Sequence, residues 1–153
     1  MNKTKIDILA VILDVGLTVD NSAVFQSQVI DQLKALKKMG YQVGLLCVYS
    51  DKENFLNSVY KQLKQHNIKV FFKKDRGLIR NFISMIIKLR RLRKTIDISN
   101  GYSRGLWGAL VIILSKPINL MPYIYDVRGD LVDESKAVGI NFLKSKKFIL
   151  SII

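Results

Sequence analysis

The chain of 153 residues predicts an α/β fold, a doubly wound and mostly parallel Rossmann-like sheet with strand order 3-2-1-4-5. Three observations predict it. Short branched-apolar runs alternate with longer stretches of helical period along the whole sequence. The first run is apolar at almost every position, as a strand covered on both faces must be. A polar or glycine-bearing loop follows most of the runs, and right-handed crossovers between such units wind a sheet in both directions.

Lys5 to Leu13 is the first strand, with Ile6, Ile8, Leu9, Val11, Ile12 and Leu13 as its apolar bulk. The loop Asp14 to Asn21 contains Gly16. Ser22 to Lys38 carries a helical pattern with Phe25, Val29, Leu33, Leu36 and Met39 on one stripe, and Gly40 as C-cap. Tyr41 to Val48 is the second strand. Asp51 N-caps a helix from Lys52 to His66, where Phe55, Val59 and Leu63 recur every four residues and Asn67 closes the end. Ile68 to Phe72 is the third strand, and Lys73 to Arg76 a charged turn. A third helix runs from Leu78 to Leu92, with Ile79, Phe82, Ile83, Ile86 and Ile87 apolar. Thr95 to Ser99 is a short fourth strand, closed by an Asn100-Gly101 turn. Ser103 to Leu114 is a helix apolar nearly all round. Pro117 ends it before a fifth strand, Ile118 to Tyr125. The loop Asp126 to Asp130 follows, and Ser135 to Ile153 is helical in part.

Composition narrows the chemistry. The single cysteine, Cys47, lies in an apolar run and reads as a buried free thiol. With one histidine, His66, a structural zinc site lacks ligands, and no metal site is predicted. The N-terminal apolar run is bracketed by Asp7 and Asp14, unlike a signal peptide, and is too short to span a bilayer. These features lead us to expect a cytoplasmic protein, peripheral on the inner face of the plasma membrane. Lys and Arg number 25 against 12 Asp and Glu, so the formal charge is +13. An excess of that size calls for an anionic partner.

In such a sheet the ligand lies beyond the carboxyl ends of the strands, at the point where strand order reverses. The first loop, DVGLTVDNS, has neither GxGxxG nor the phosphate-loop sequence, so it is not a dinucleotide or ATP half-site. Gly16 suits either an ordinary turn or close backbone approach by a ligand. At the fourth strand's exit, Asn100, Gly101, Ser103 and Arg104 form either a turn with a helix cap or a small anion site. At the fifth exit, Asp126 and Arg128 lie among five charged residues within nine positions, and suit either a polyol or each other. His66 is far from these loops, so serine–histidine or cysteine–histidine hydrolysis is disfavoured.

A second candidate is electrostatic. Between Lys73 and Lys94 stand nine basic residues and one acidic residue. Arg76, Arg80, Lys88, Arg90, Arg91, Arg93 and Lys94 make this amphipathic helix a candidate for an anionic membrane surface or another anion. No nucleic-acid module accompanies the charge and no aromatics interleave with it, which argues against nucleic acid.

The segments ILDVGLTVDNS, AVFQSQVIDQLKALKKMGYQVGLL, DISNGYSRGLWGALV and YIYDVRGDLVDES resemble the N-terminal, acceptor-side domain of GT-B glycosyltransferases, in the retaining family that includes bacterial capsule, O-antigen and lipopolysaccharide enzymes. The resemblance spans most of the chain. It implies transfer of sugar from a nucleotide-sugar to a cell-surface polysaccharide or lipid-linked glycan. It implies no tightly bound cofactor, and a nucleotide-sugar donor held only with a C-terminal domain that these residues lack. That domain could be a separate partner, and the apolar end from Phe148 to Ile153 would favour self-association. The family's first loop is glycine-rich where this chain has only Gly16. Many members have histidines where Asn100 and the pair Tyr125-Asp126 stand here, so no catalytic residue carries over. The alternative is a non-enzymatic α/β binding or regulatory domain with a basic face. A receiver-like variant of it is weak, because strand three ends FFKKD.

Overall fold

A computed structural model describes residues 3–13, 25–115 and 121–126. Five strands, β1 (Thr4–Ile12), β2 (Val43–Tyr49), β3 (Lys69–Lys74), β4 (Ile96–Arg104) and β5 (Tyr123–Asp126), form one sheet in the order β3-β2-β1-β4-β5. Every pairing is parallel. This is the predicted Rossmann-like arrangement.

Helices cover both faces. Helix α1 begins with a π-helical turn, Gln26–Ile30, and continues as Asp31–Lys38. Helix α2 joins Lys52–Phe55, a π-helical turn Leu56–Tyr60, and Lys61–Gln65. Both lie on one face, where Phe25, Val29 and Leu33 meet Phe55, Val59 and Leu63 over Ala10, Ile12, Leu45 and Cys47. Helices α3 (Leu78–Thr95) and α4 (Leu106–Leu114) lie on the other. There Met85, Leu89, Val111 and Ile112 pack on Leu9, Val11, Leu46 and Val48. Central strands buried on both sides need apolar residues at successive positions, which is why β2 is buried from Val43 through Val48.

Local signals act as predicted in the first half. The Asp51 carboxylate accepts from the N–H groups of Glu53 (2.9 Å) and Asn54 (3.2 Å), capping α2. Helix α1 ends in a Schellman turn, with Gly40 at φ +94° and the Tyr41 N–H on the Leu36 carbonyl. Asn67, at φ 54°, closes α2 in the same way, and the Ile68 N–H reaches the Leu63 carbonyl. One feature was unforeseen. The N–H groups of Asp7 and Ile8 both bond the Gln42 carbonyl (2.8 and 3.2 Å), a β-bulge. The bulge changes the side-chain parity, so Ile6 and Leu9 share one core. The Asp7 carboxylate pins it by accepting from the Gln42 N–H and pairing with Lys5, and these bonds hold its pKa below the usual range.

Several predicted boundaries are corrected. β4 does not stop at Ser99 but runs on to Arg104, so Asn100-Gly101 is mid-strand and not a turn. The following helix starts at Leu106, so Ser103 does not cap it. β3 extends through Lys73 and Lys74. β5 begins at Tyr123. Met39 leaves the stripe predicted for α1 and is 71% exposed. Gly16, Arg128 and the segment from Ser135 to Ile153 lie outside the described residues.

Candidate functional site

The order of strands places the reversal between β1 and β4, whose following helices lie on opposite faces. At the carboxyl end of this region the register puts Arg104 beside Asp126. Tyr102, two residues before Arg104 on β4, lies on the α1 face. Its hydroxyl is 3.0 Å from Asp126 Oδ2 and 2.8 Å from the side chain of Gln32 on α1. A phenol has one proton to donate, so it serves the carboxylate, and a Gln32 amide turned to donate completes the chain. Arg104 is half-buried, and its Nη1 is buried with no hydrogen-bond partner among the described residues.

The other residues predicted at this edge have different work. The Asn100 amide donates to the main-chain carbonyl of Asp7 (3.1 Å), inside the sheet at the bulge. Gly101 is buried, and a Cβ there would lie 3.0 Å from Met121 Cε and 3.1 Å from Ile112 Cδ1. Ser103 is fully buried and donates to the Gly105 carbonyl. Its hydroxyl faces Gly108 of α4, where a Cβ would lie 2.5 Å from Ser103 Oγ and 2.4 Å from the Val11 carbonyl oxygen. Gly108 therefore lets α4 press against the ends of β1 and β4. Of the predicted set, the register brings Arg104 and Asp126 side by side at the reversal, where sheets of this kind open a crevice. Tyr102 and Gln32 were missed, because a strand ending at Ser99 leaves Tyr102 in a turn.

A cleft of about 520 Å³ lies elsewhere on the carboxyl edge, between the end of β3 and the first three turns of α3. Lys73, Lys74, Arg76 and Arg80 line it, over an apolar floor that includes Tyr49 and Phe72. The floor's rings pack on a shared neighbour: Phe72 meets Phe55 edge-on at 5.0 Å, and Tyr49 stacks on Phe55 at 5.4 Å. The turn into α3 is fixed by Asp75 and Asn81. The Asn81 amide donates to the Asp75 carboxylate (2.6 Å), the Gly77 N–H donates to the same oxygen (2.8 Å), and the Arg76 N–H donates to Asn81 Oδ1 (3.0 Å). The amide bond foremost, then the Gly77 N–H, lowers the pKa of Asp75. Among the described residues no carboxylate forms an ion pair with Lys73, Lys74, Arg76 or Arg80.

Asn81 also sets the rotation of α3. With it turned inward, Met85, Leu89 and Leu92 follow on the same buried face. The predicted apolar stripe is thereby split. Phe82 and Ile86 pack against the core, while Ile79, Ile83 and Ile87 stand out at 74, 53 and 44% exposure. The predicted basic residues divide too. Arg76, Arg80, Arg90, Arg91 and Lys94 are exposed, whereas Lys88 and Arg93 are half-buried. Arg90 donates to the Leu114 carbonyl at the end of α4 (2.9 Å).

No family model, no curated protein and no solved structure matches the chain. The likeness to glycosyltransferases therefore rests on the four sequence segments alone. Among the described residues no group of three His, Cys, Asp or Glu side chains gathers to hold a metal ion, and no helix is long and apolar enough to cross a membrane.

Proposed function

We propose that the chain is an acceptor-side domain of a glycosyltransferase that passes sugar from a nucleotide-sugar to a cell-surface polysaccharide or lipid-linked glycan, working in the cytoplasm at the inner face of the plasma membrane. The observation that carries this reading is the β1/β4 reversal, beside which the register sets Arg104 next to Asp126 at the carboxyl edge. A sugar hydroxyl both donates and accepts. Asp126 takes its proton in a hydrogen bond, and the Arg104 guanidinium donates to its oxygen. Tyr102 holds the carboxylate in place from behind. The domain binds and orients the acceptor, and no residue here is assigned to bond cleavage. The segments DISNGYSRGLWGALV and YIYDVRGDLVDES, which contain Arg104 and Asp126 and are two of the four that carry the resemblance, support the same reading.

The test is direct binding of lipid-linked oligosaccharides to the purified chain. Arg104→Ala should weaken it about tenfold or more, the scale of one charge-assisted hydrogen bond, with the unfolding midpoint largely kept, and Asp126→Ala should weaken it as much while also losing the roughly 1 kcal/mol of the Tyr102 bond. Unchanged affinity in both variants removes the crevice assignment. A second reading, an α/β binding or regulatory domain that works through its basic face, is favoured by one observation, the cation-lined cleft beside β3.

A further inference from the structure

The solvent pole of a surface helix ordinarily carries charge and leaves apolar residues to the core side. Helix α3 breaks that rule. Its core side is already filled by Met85, Leu89 and Leu92, yet Ile79, Ile83 and Ile87 recur every fourth residue on the outside. Scattered exposed isoleucines mean little, but a stripe of them is a contact surface. Cations bracket it. Arg76 and Arg80 stand at its start, Arg91 and Lys94 at its end, and all four are exposed. Arg90, bonded to the Leu114 carbonyl, sets the exposed Ile113 and Leu114 beside the same end.

We propose that this pole of α3 is a docking surface for an anionic lipid bilayer. Ile79, Ile83 and Ile87 enter the boundary between headgroups and acyl chains, and the cations of the adjoining cleft take lipid phosphates. Charge chooses this occupant. From Lys73 to Lys94 the sole acidic residue is Asp75, which is bonded to Asn81 and Gly77. A second copy of the chain, itself at +13, would bring the cations of one stripe against those of the other. Geometry agrees. Interfacial helices bury their apolar face by about 5–10 Å, a depth side chains can reach while α3 stays packed on the sheet. Ile83 and Ile87 also line the cleft, so its mouth opens at the depth of the headgroups. This inference rests on α3 and the cleft, and it stands whether or not the chain serves a glycosyltransferase.

The test is co-sedimentation of the full chain with vesicles of phosphatidylcholine alone, or of equal parts phosphatidylcholine and phosphatidylglycerol, at low and high salt. The expected result is binding only to the anionic vesicles, weakened by salt. The variant Ile79→Ser/Ile83→Ser/Ile87→Ser keeps every charge and should lose about tenfold in affinity. Arg76→Gln/Arg80→Gln keeps the isoleucines and should lose about fivefold for each cation removed. Circular dichroism confirms that both variants are folded. Equal binding to neutral and anionic vesicles overturns the proposal, and so does a serine variant that binds as the parent does. Inorganic pyrophosphate tests the source of the phosphate. If it binds the chain and leaves vesicle binding untouched, the cleft serves a soluble anion instead. If no vesicles bind and the serine substitutions abolish self-association in the ultracentrifuge, the stripe belongs to a second copy.

Discussion

Two polar regions along the carboxyl edge of the sheet, the β1/β4 reversal and the β3–α3 cleft, differ in where their polar groups find partners. At the crevice, Tyr102 links Gln32 of α1 to Asp126 of β5, and Ser103 and Gly108 lock α4 against the strand ends. Side chains there join separate elements, so a change is felt by the fold. At the β3–α3 cleft, Asp75 and Asn81 fasten the turn from within, and the cations above it meet no described carboxylate. Those cations form no ion pair among the described residues, and like charges side by side cost free energy by mutual repulsion. The comparison teaches that one edge of a sheet can hold a self-supporting polar chain on β4 and β5 and, three strands from β4, a charged surface that calls for a counter-charge from outside.

The sharpest way to break this contrast is at Gly108. A Cβ there would sit 2.4 Å from a backbone carbonyl oxygen, which cannot swing aside as a flexible side-chain tip can. Gly108→Ala should destabilise the protein by about 3 kcal/mol, read from urea unfolding, since overpacking a tight contact costs on this scale. A loss under about 0.5 kcal/mol, within the range of ordinary surface changes, would show that α4 does not clamp the crevice. A smaller effect is expected at Tyr102. Tyr102→Phe removes the proton offered to Asp126 and should cost about 1 kcal/mol, the net value of a partly buried hydrogen bond.

The smallest effect belongs to the cleft. Asp75 has its pKa lowered in the fold, so it binds fewer protons there than in the unfolded chain. Its contribution is complete above the unfolded value near 4 and is lost as pH falls through the lower folded value. Asp75→Asn should therefore flatten the pH dependence of stability below about pH 4. Solvent screening keeps the accompanying change near neutral pH below about 1 kcal/mol. An acid limb identical to the parent's would mean that Asp75 is not a carboxylate held by Asn81 and Gly77.

How much of this was legible in the sequence varies with the physical signal. Strand order followed from alternation and handedness, which need no knowledge of particular contacts. Caps such as Asp51 and Gly40 were legible because they act within one turn of chain. β4 was misread because Asn100-Gly101 has the composition of a turn. In the fold that composition serves contacts remote in sequence: Asn100 covers the Asp7 carbonyl across the sheet, and Gly101 leaves space that Met121 and Ile112 fill. The pairing of Arg104 with Asp126 was not legible, because the sequence reading set Arg104 at a helix cap and matched Asp126 with Arg128, whereas the register of β4 and β5 makes Arg104 and Asp126 neighbours. Nor was Tyr102, because its partner lies seventy residues away on α1. The rotation of α3 was equally hidden. Its isoleucines are as apolar as its buried Met85 and Leu89, and only the Asp75–Asn81 anchor decides which face turns inward.

The claim that α3 presents its isoleucines outward to a bilayer has one direct measurement. Trp107, the only native tryptophan, packs edge-on against Phe82 at 5.7 Å, so Trp107→Phe keeps an aromatic ring and clears the spectrum. Ile83→Trp in that background places an indole in the middle of the exposed stripe. With anionic vesicles its emission should shift to the blue, and lipids brominated near the headgroup should quench it. Protein that sediments with the vesicles while its emission stays at the wavelength seen in water would contradict the account, because the stripe would then remain wet while other charges made the contact.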